Sequence, residues 1–124
     1  MKNGKLGVAI HGCGQVATAH AASWRKNPRA EIVSVSSRRR ESAERLLAEQ
    51  SLDCPVRDDF NDVLADPAVD VVNLSGPNQV HAVQGIAAAR AGKHVMVEKP
   101  MVLSMEENRE LRDAVATAAV KSVG

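Results

Sequence analysis

Short, almost wholly apolar runs alternate in this chain with longer segments whose apolar residues recur three or four positions apart. Runs of the first kind fit strands buried on both faces, and segments of the second kind fit helices lying on a sheet. Leu6 to Ile10 is the first such strand. A helix from about Gln15 to Lys26 follows, with Val16, His20 and Trp24 on one face and Asn27-Pro28 as its stop. Ile32, Val33 and Val35 mark a second strand over Glu31 to Ser36, and Ala43, Leu46 and Leu47 a helix from Glu41 to Gln50. Cys54-Pro55-Val56 predicts a short third strand. Phe60, Val63 and Leu64 predict a turn or two of helix before Asp66-Pro67. Asp70 to Leu74 is the next strand, Asn78 to Ala91 a helix ended by Gly92, and His94 to Val97 another strand. Ser104-x-x-Glu107 is a capping box that opens a helix through about Ala119, and Val120 to Gly124 begins a further strand.

Strands and helices in strict alternation imply an α/β protein with three layers: a parallel sheet, right-handed crossovers and helices on both faces. The 124 residues read as one domain without repeats, linkers or low-complexity tracts. An apolar segment at the very C-terminus predicts that the natural protein continues beyond it.

Composition narrows the partners. Aromatic content is 2%, from Trp24 and Phe60, so the core must be built from Ala, Val, Leu and Ile, which argues against a stacking platform for single-stranded nucleic acid. A net charge of +1 gives no broad field toward nucleic acid or an acidic membrane. Cys13 and Cys54 form no metal-binding spacing, nor do the four histidines, so no metal is expected. Met1 to Lys5 runs straight into the first strand, and no apolar run is long enough for a membrane; the expected compartment is the cytoplasm.

The chemistry begins at Val8-Ala9-Ile10-His11-Gly12-Cys13-Gly14-Gln15-Val16-Ala17, a strand, a glycine turn and a helix start. This is the G-x-G-x-x-G/A layout of a dinucleotide site. Gly12 permits the tight turn, Gly14 lets a pyrophosphate approach the backbone, and Ala17 lets helix and strand pack closely. The helix opening at Gln15 and Val16 offers unpaired N–H groups to the phosphates. The plainer alternative is an ordinary strand-to-helix turn. Where an NAD-selective site carries Asp or Glu at the end of its second strand, this chain has Ser37, followed by Arg38, Arg39 and Arg40. Ser37 and Arg38 would donate hydrogen bonds to the 2′-phosphate of NADP, which a carboxylate would repel. NADP(H) is therefore preferred, with NAD(H) the other option. Positive charge at a helix start is disfavoured by the helix dipole, and Glu41 and Glu44 offset it only in part. The alternative is a solvated basic turn.

Asp70-Val71-Val72-Asn73-Leu74-Ser75-Gly76-Pro77-Asn78-Gln79-Val80-His81, then Ala91-Gly92-Lys93-His94-Val95-Met96-Val97-Glu98-Lys99-Pro100, closely resembles one oxidoreductase family. It is the glucose–fructose oxidoreductase, inositol dehydrogenase and rhizopine-catabolism group, Gfo/Idh/MocA. With Gly12 to Ala17 and His20, the resemblance spans essentially the whole chain. It implies a nicotinamide-binding Rossmann domain followed by a substrate domain that is absent here. By the same resemblance Lys99 is the catalytic residue, at the nicotinamide end beside the reacting oxygen, with Glu98 as its charged neighbour. An ammonium there stabilises negative charge as hydride leaves or arrives. The resemblance adds Ser75, Pro77, Asn78, His81, Glu98 and Lys99 to the cofactor-binding set and makes Lys99-Pro100 a candidate cis peptide; the residues alone also fit a plain helix start at Asn78 and a packing role for His81. Gly76 departs from the family's usual Thr, and His11 stands where the family usually has an apolar residue. The implied function is hydride transfer to or from a sugar, polyol or related compound, bound through the second domain, in a full-length homo-oligomer. The rival reading is a stand-alone NADP(H)-binding or interaction module without chemistry.

Overall fold

The computed structural model describes residues 4–12, 15–75, 78–97, 105–118 and 122–123. Strand and helix alternate throughout them: β1 (Leu6–His11), α1 (Gln15–Lys26), β2 (Ala30–Ser36), α2 (Arg40–Gln50), β3 (Val56–Arg57), α3 (Phe60–Ala65), β4 (Val71–Leu74), α4 (Asn78–Arg90), β5 (His94–Val97), α5 (Met105–Ala118) and β6 (Ser122–Val123). The strands form one parallel sheet in the order β3-β2-β1-β4-β5-β6.

Alternate residues of each strand feed opposite layers. Val8 and Ile10 of β1, with Val35 of β2 and Val71 of β4, pack against Ala17 and Ala21 of α1 and Ala43 and Leu46 of α2. Ala9, Val72, Leu74 and Val95 join Val63 of α3, Ile86, Ala88 and Ala89 of α4, and Leu111 and Ala114 of α5. Helices thus cover both faces, as the alternation predicts. The facing alanines at 17, 21, 43, 88 and 89 are fully buried, so α1, α2 and α4 sit close to the sheet without aromatic filler. Each large aliphatic side chain buried this way contributes roughly 1.5–3 kcal/mol.

The third strand departs from expectation, running over Val56–Arg57 rather than from Cys54. Proline lacks the N–H a ladder needs. Pro55 instead gives its carbonyl to the Val35 N–H (3.1 Å), and pairing proper starts one residue on, at Val35↔Val56. The β1–β2 register also slips between Val8 and Ala9, which face Ile32 and Ser34 and leave Val33 as an extra residue.

The edge at the N-terminal ends of the strands is tightly closed. Gly7 exchanges backbone and side-chain bonds with Asp70: its N–H donates to Asp70 Oδ2 (2.8 Å) and its carbonyl accepts from the Asp70 N–H (2.8 Å). A Cβ on Gly7 would lie 1.8 Å from the Ala68 carbonyl oxygen, so no larger residue fits that approach. Helix α4 ends with Gly92 N–H on Ala89 O and Lys93 N–H on Ala88 O, a Schellman arrangement. The ammonium of Lys93, a buried residue, then donates to the carbonyls of Asp66 and Val69, both at 2.8 Å.

Candidate dinucleotide site at the C-terminal strand edge

The opposite edge is built differently. Strand β1 lies between β2 and β4, so the chain winds outward from it in both directions. Ligands of open α/β sheets bind where the winding reverses, outside the carboxyl ends of the strands. Gly12 leaves β1 there with φ +91°, a conformation strained for any residue with a Cβ, and its N–H donates to Ser36 O (2.8 Å). Gln15 and Val16 open α1, and Ala17 is fully buried against the sheet. The positive-φ Gly12, the helix start and buried Ala17 are among the features a dinucleotide's pyrophosphate site requires, and the described residues fit such a group.

Ser37 and Arg38 follow β2 directly, Ser37 half-buried and Arg38 exposed. Arg38 has no ion-pair partner among the described residues. Arg40 is engaged: it donates to both oxygens of Asp58 (2.8 Å each) and to Glu44 (3.1 Å), and Asp58 foremost holds its pKa above the ordinary value. The positive charge at the start of α2 is thus answered partly from within the chain, by Asp58 as well as by the glutamates of the helix itself. Arg39 caps α2 without a side-chain hydrogen bond.

At the end of β4 the Ser75 N–H donates to His11 O (2.8 Å). Its hydroxyl accepts from Asn73 Nδ2 (2.7 Å) and lies 2.8 Å from His20 Nδ1. Asn73 Nδ2 also donates to that nitrogen (2.8 Å), while Asn73 Oδ1 accepts from the Trp24 indole (3.0 Å). The Ser75 hydroxyl is therefore tied into a knot joining β4 to α1. A cavity of about 280 Å³ lies beside this knot, lined by His20, Ser23, Trp24, Asn27, Asn73 and Met96.

His11, without a role in the sequence reading, turns out to be a hub. Its Nδ1 lies 2.6 Å from Ser36 Oγ, its Nε2 2.9 Å from the Gln84 amide nitrogen of α4, and its ring 4.5 Å from that of Phe60. Burial pushes its pKa down to about 4, so the ring is neutral at physiological pH. Accepting from Gln84 at Nε2 leaves the proton on Nδ1 for Ser36.

Asn78 opens α4 and His81 falls in its first turn. Gly14, Gly76, Pro77, Glu98, Lys99, the Lys99-Pro100 bond and Ser104 lie outside the described residues. Asn73, Asp58 and Gln84 are contributors that sequence reasoning missed. Asn73 alone left a trace, as the polar residue of an otherwise apolar strand. Among the described residues no group of His, Cys, Asp or Glu could hold a metal ion, and no helix is long and apolar enough to cross a membrane.

Residues 6–123 match the model of an oxidoreductase family with an NAD-binding Rossmann fold. The chain belongs to the Gfo/Idh/MocA family. Over 114 residues it is 38% identical to the D-glucoside 3-dehydrogenase of Escherichia coli K12, covering 91% of this chain and 32% of that protein. Among solved structures it resembles the WlbA dehydrogenase of Chromobacterium violaceum in complex with NADH and UDP-GlcNAcA. The TM-score is 0.87 at 28% identity, over 100% of this chain and 36% of that one. It also resembles the biliverdin reductase of Synechocystis in complex with biliverdin and NADP+. There the TM-score is 0.84 at 25% identity, over 95% of this chain and 37% of that one. The chain thus spans about a third of the length of these Gfo/Idh/MocA-type relatives and corresponds to the family's NAD-binding domain.

Proposed function

We propose that this chain is the nucleotide-binding part of a cytoplasmic, NADP(H)-dependent oxidoreductase acting on a sugar, polyol or related hydroxyl or carbonyl compound. The observation that carries the cofactor preference is the end of β2, where Ser37 and exposed Arg38 stand beside the Gly12 turn without a carboxylate at that place. Arg38 would hold the 2′-phosphate, Ser37 would donate a second bond to it, and the turn from Gly12 to Ala17 would carry the pyrophosphate. Ser75, Pro77, Asn78 and His81 would border the ribose and nicotinamide. The bound nicotinamide supplies the hydride donor or acceptor. Lys99, with Glu98 beside it, would orient the substrate oxygen and stabilise charge developing on it. The substrate class rests on the sugar dehydrogenases among the relatives, and the same resemblance favours an enzyme over a stand-alone binding module. The remaining acid–base group and the homo-oligomer contacts would come from a second domain.

Calorimetric titration with NADP+ and NAD+ at one fixed salt concentration tests the cofactor assignment. A single charge-assisted bond of about 1.5–3 kcal/mol predicts roughly ten- to a hundred-fold or more preference for NADP+, and a second raises it further. Arg38→Ala should abolish most of it and leave NAD+ affinity nearly unchanged. Equal affinities in the unaltered chain would sink the assignment.

A further inference from the structure

We infer that His11 is a positioning residue that sets cofactor selectivity by holding the end of β2 in register with the phosphate turn. Three observations converge on it. Its backbone joins the ends of three strands: it pairs with Ser36 and Leu74, its carbonyl accepts from Ser75 N–H, and the next residue, Gly12, donates to Ser36 O. Its ring adds side-chain bonds to Ser36 of β2 and Gln84 of α4 and stacks obliquely on Phe60 of α3. Ser36 is itself almost fully buried and stands immediately before Ser37 and Arg38. On the far side, Arg40 is fixed by Asp58 and Glu44. The short segment carrying Ser37 and Arg38 is thus suspended between two anchors, one of them the His11–Ser36 bond. An aliphatic residue at position 11 could fill the strand but not make that bond, and the direction of Arg38 would be less fixed.

The inference rests on the reading that Ser37 and Arg38 receive the 2′-phosphate, and its test separates the two. Affinities for NADP+ and NAD+ are measured in the unaltered chain and in His11→Val, Ser36→Ala and Arg38→Ala. Coupling through the β2 end predicts that His11→Val and Ser36→Ala each lower the NADP+:NAD+ affinity ratio about fivefold or more, with NAD+ affinity changing less. A merely structural histidine would lower stability, or both affinities together, and leave the ratio alone. If Arg38→Ala collapses the ratio while the other two leave it intact, the role of His11 is overturned and the 2′-phosphate reading stands. If Arg38→Ala leaves the ratio unchanged, that reading fails and the inference with it. Should His11→Val not fold, Ser36→Ala removes the same bond at the cost of one hydroxyl and decides alone.

Discussion

The two edges of the sheet are made from the same strands but serve opposite ends. At the N-terminal edge polar groups are buried and answered inside the chain: Gly7 by Asp70, the Asp66 and Val69 carbonyls by Lys93. At the C-terminal edge the chain presents the positive-φ Gly12, the starts of α1 and α4, and a solvent-facing Arg38 without an ion-pair partner among the described residues. Parallel strands all deliver their chain ends to the same side, so one edge can be closed for stability while the other is kept for binding. The motifs of the family divide along this line. Ala91-Gly92-Lys93 ends a helix and ties down a loop at the closed edge, while the glycine turn belongs to the open one.

The contrast breaks most severely at Gly7. Gly7→Ala drives a methyl group into the Ala68 carbonyl, and backbone must move to admit it. A loss on the order of 4 kcal/mol or more is expected in urea unfolding. A stability within experimental error of the unaltered chain would show that the closed edge is looser than its geometry. Lys93→Met keeps the apolar stem but leaves the Asp66 and Val69 carbonyls without their shared donor. It should cost about 3 kcal/mol while NADP+ affinity at the opposite edge stays unchanged.

A smaller effect sharpens the comparison from the open edge. His11 has a folded-state pKa of about 4 against an ordinary 6.5, with burial as the cause. Between those values the unfolded chain binds a proton that the folded chain refuses, so stability falls as pH drops from 6.5 toward 4 and levels off below. Allowing for partial exposure, this loss is about 2 kcal/mol. From pH 7 to 4.5 the unaltered chain should lose about 2 kcal/mol more unfolding free energy than His11→Val does. Parallel pH dependence in the two would mean that His11 is not held neutral by the fold.

Much of this architecture was legible in the residues. Ile32, Val33 and Val35, or Ala43, Leu46 and Leu47, report their element because apolar spacing records which face is buried, and that record is local. The third strand starts two residues later than its apolar run predicts, because Pro55 contributes a carbonyl but no N–H, a role that only its partner Val35 reveals. The hub at His11 could not be read at all. Its partners Ser36 and Gln84 lie 25 and 73 positions away, and the indole that meets Asn73 lies 49 away.

The sequence by itself determined the alternation of strands and helices, the parallel sheet, the glycine turn at the end of β1 and the family. Those properties depend on short-range periodicity, on the torsional freedom of glycine and on contiguous motifs, all of which are written residue by residue. Only the tertiary structure decided that Arg40 is neutralised by Asp58 while Arg38 faces solvent, that Ser75 is drawn into a knot with His20 and Asn73, and that His11 is a half-buried neutral bridge. Hydrogen bonds and burial depend on which distant segments the sheet brings side by side, and the strand order that does so places β4 beside β1 across the whole first half of the chain.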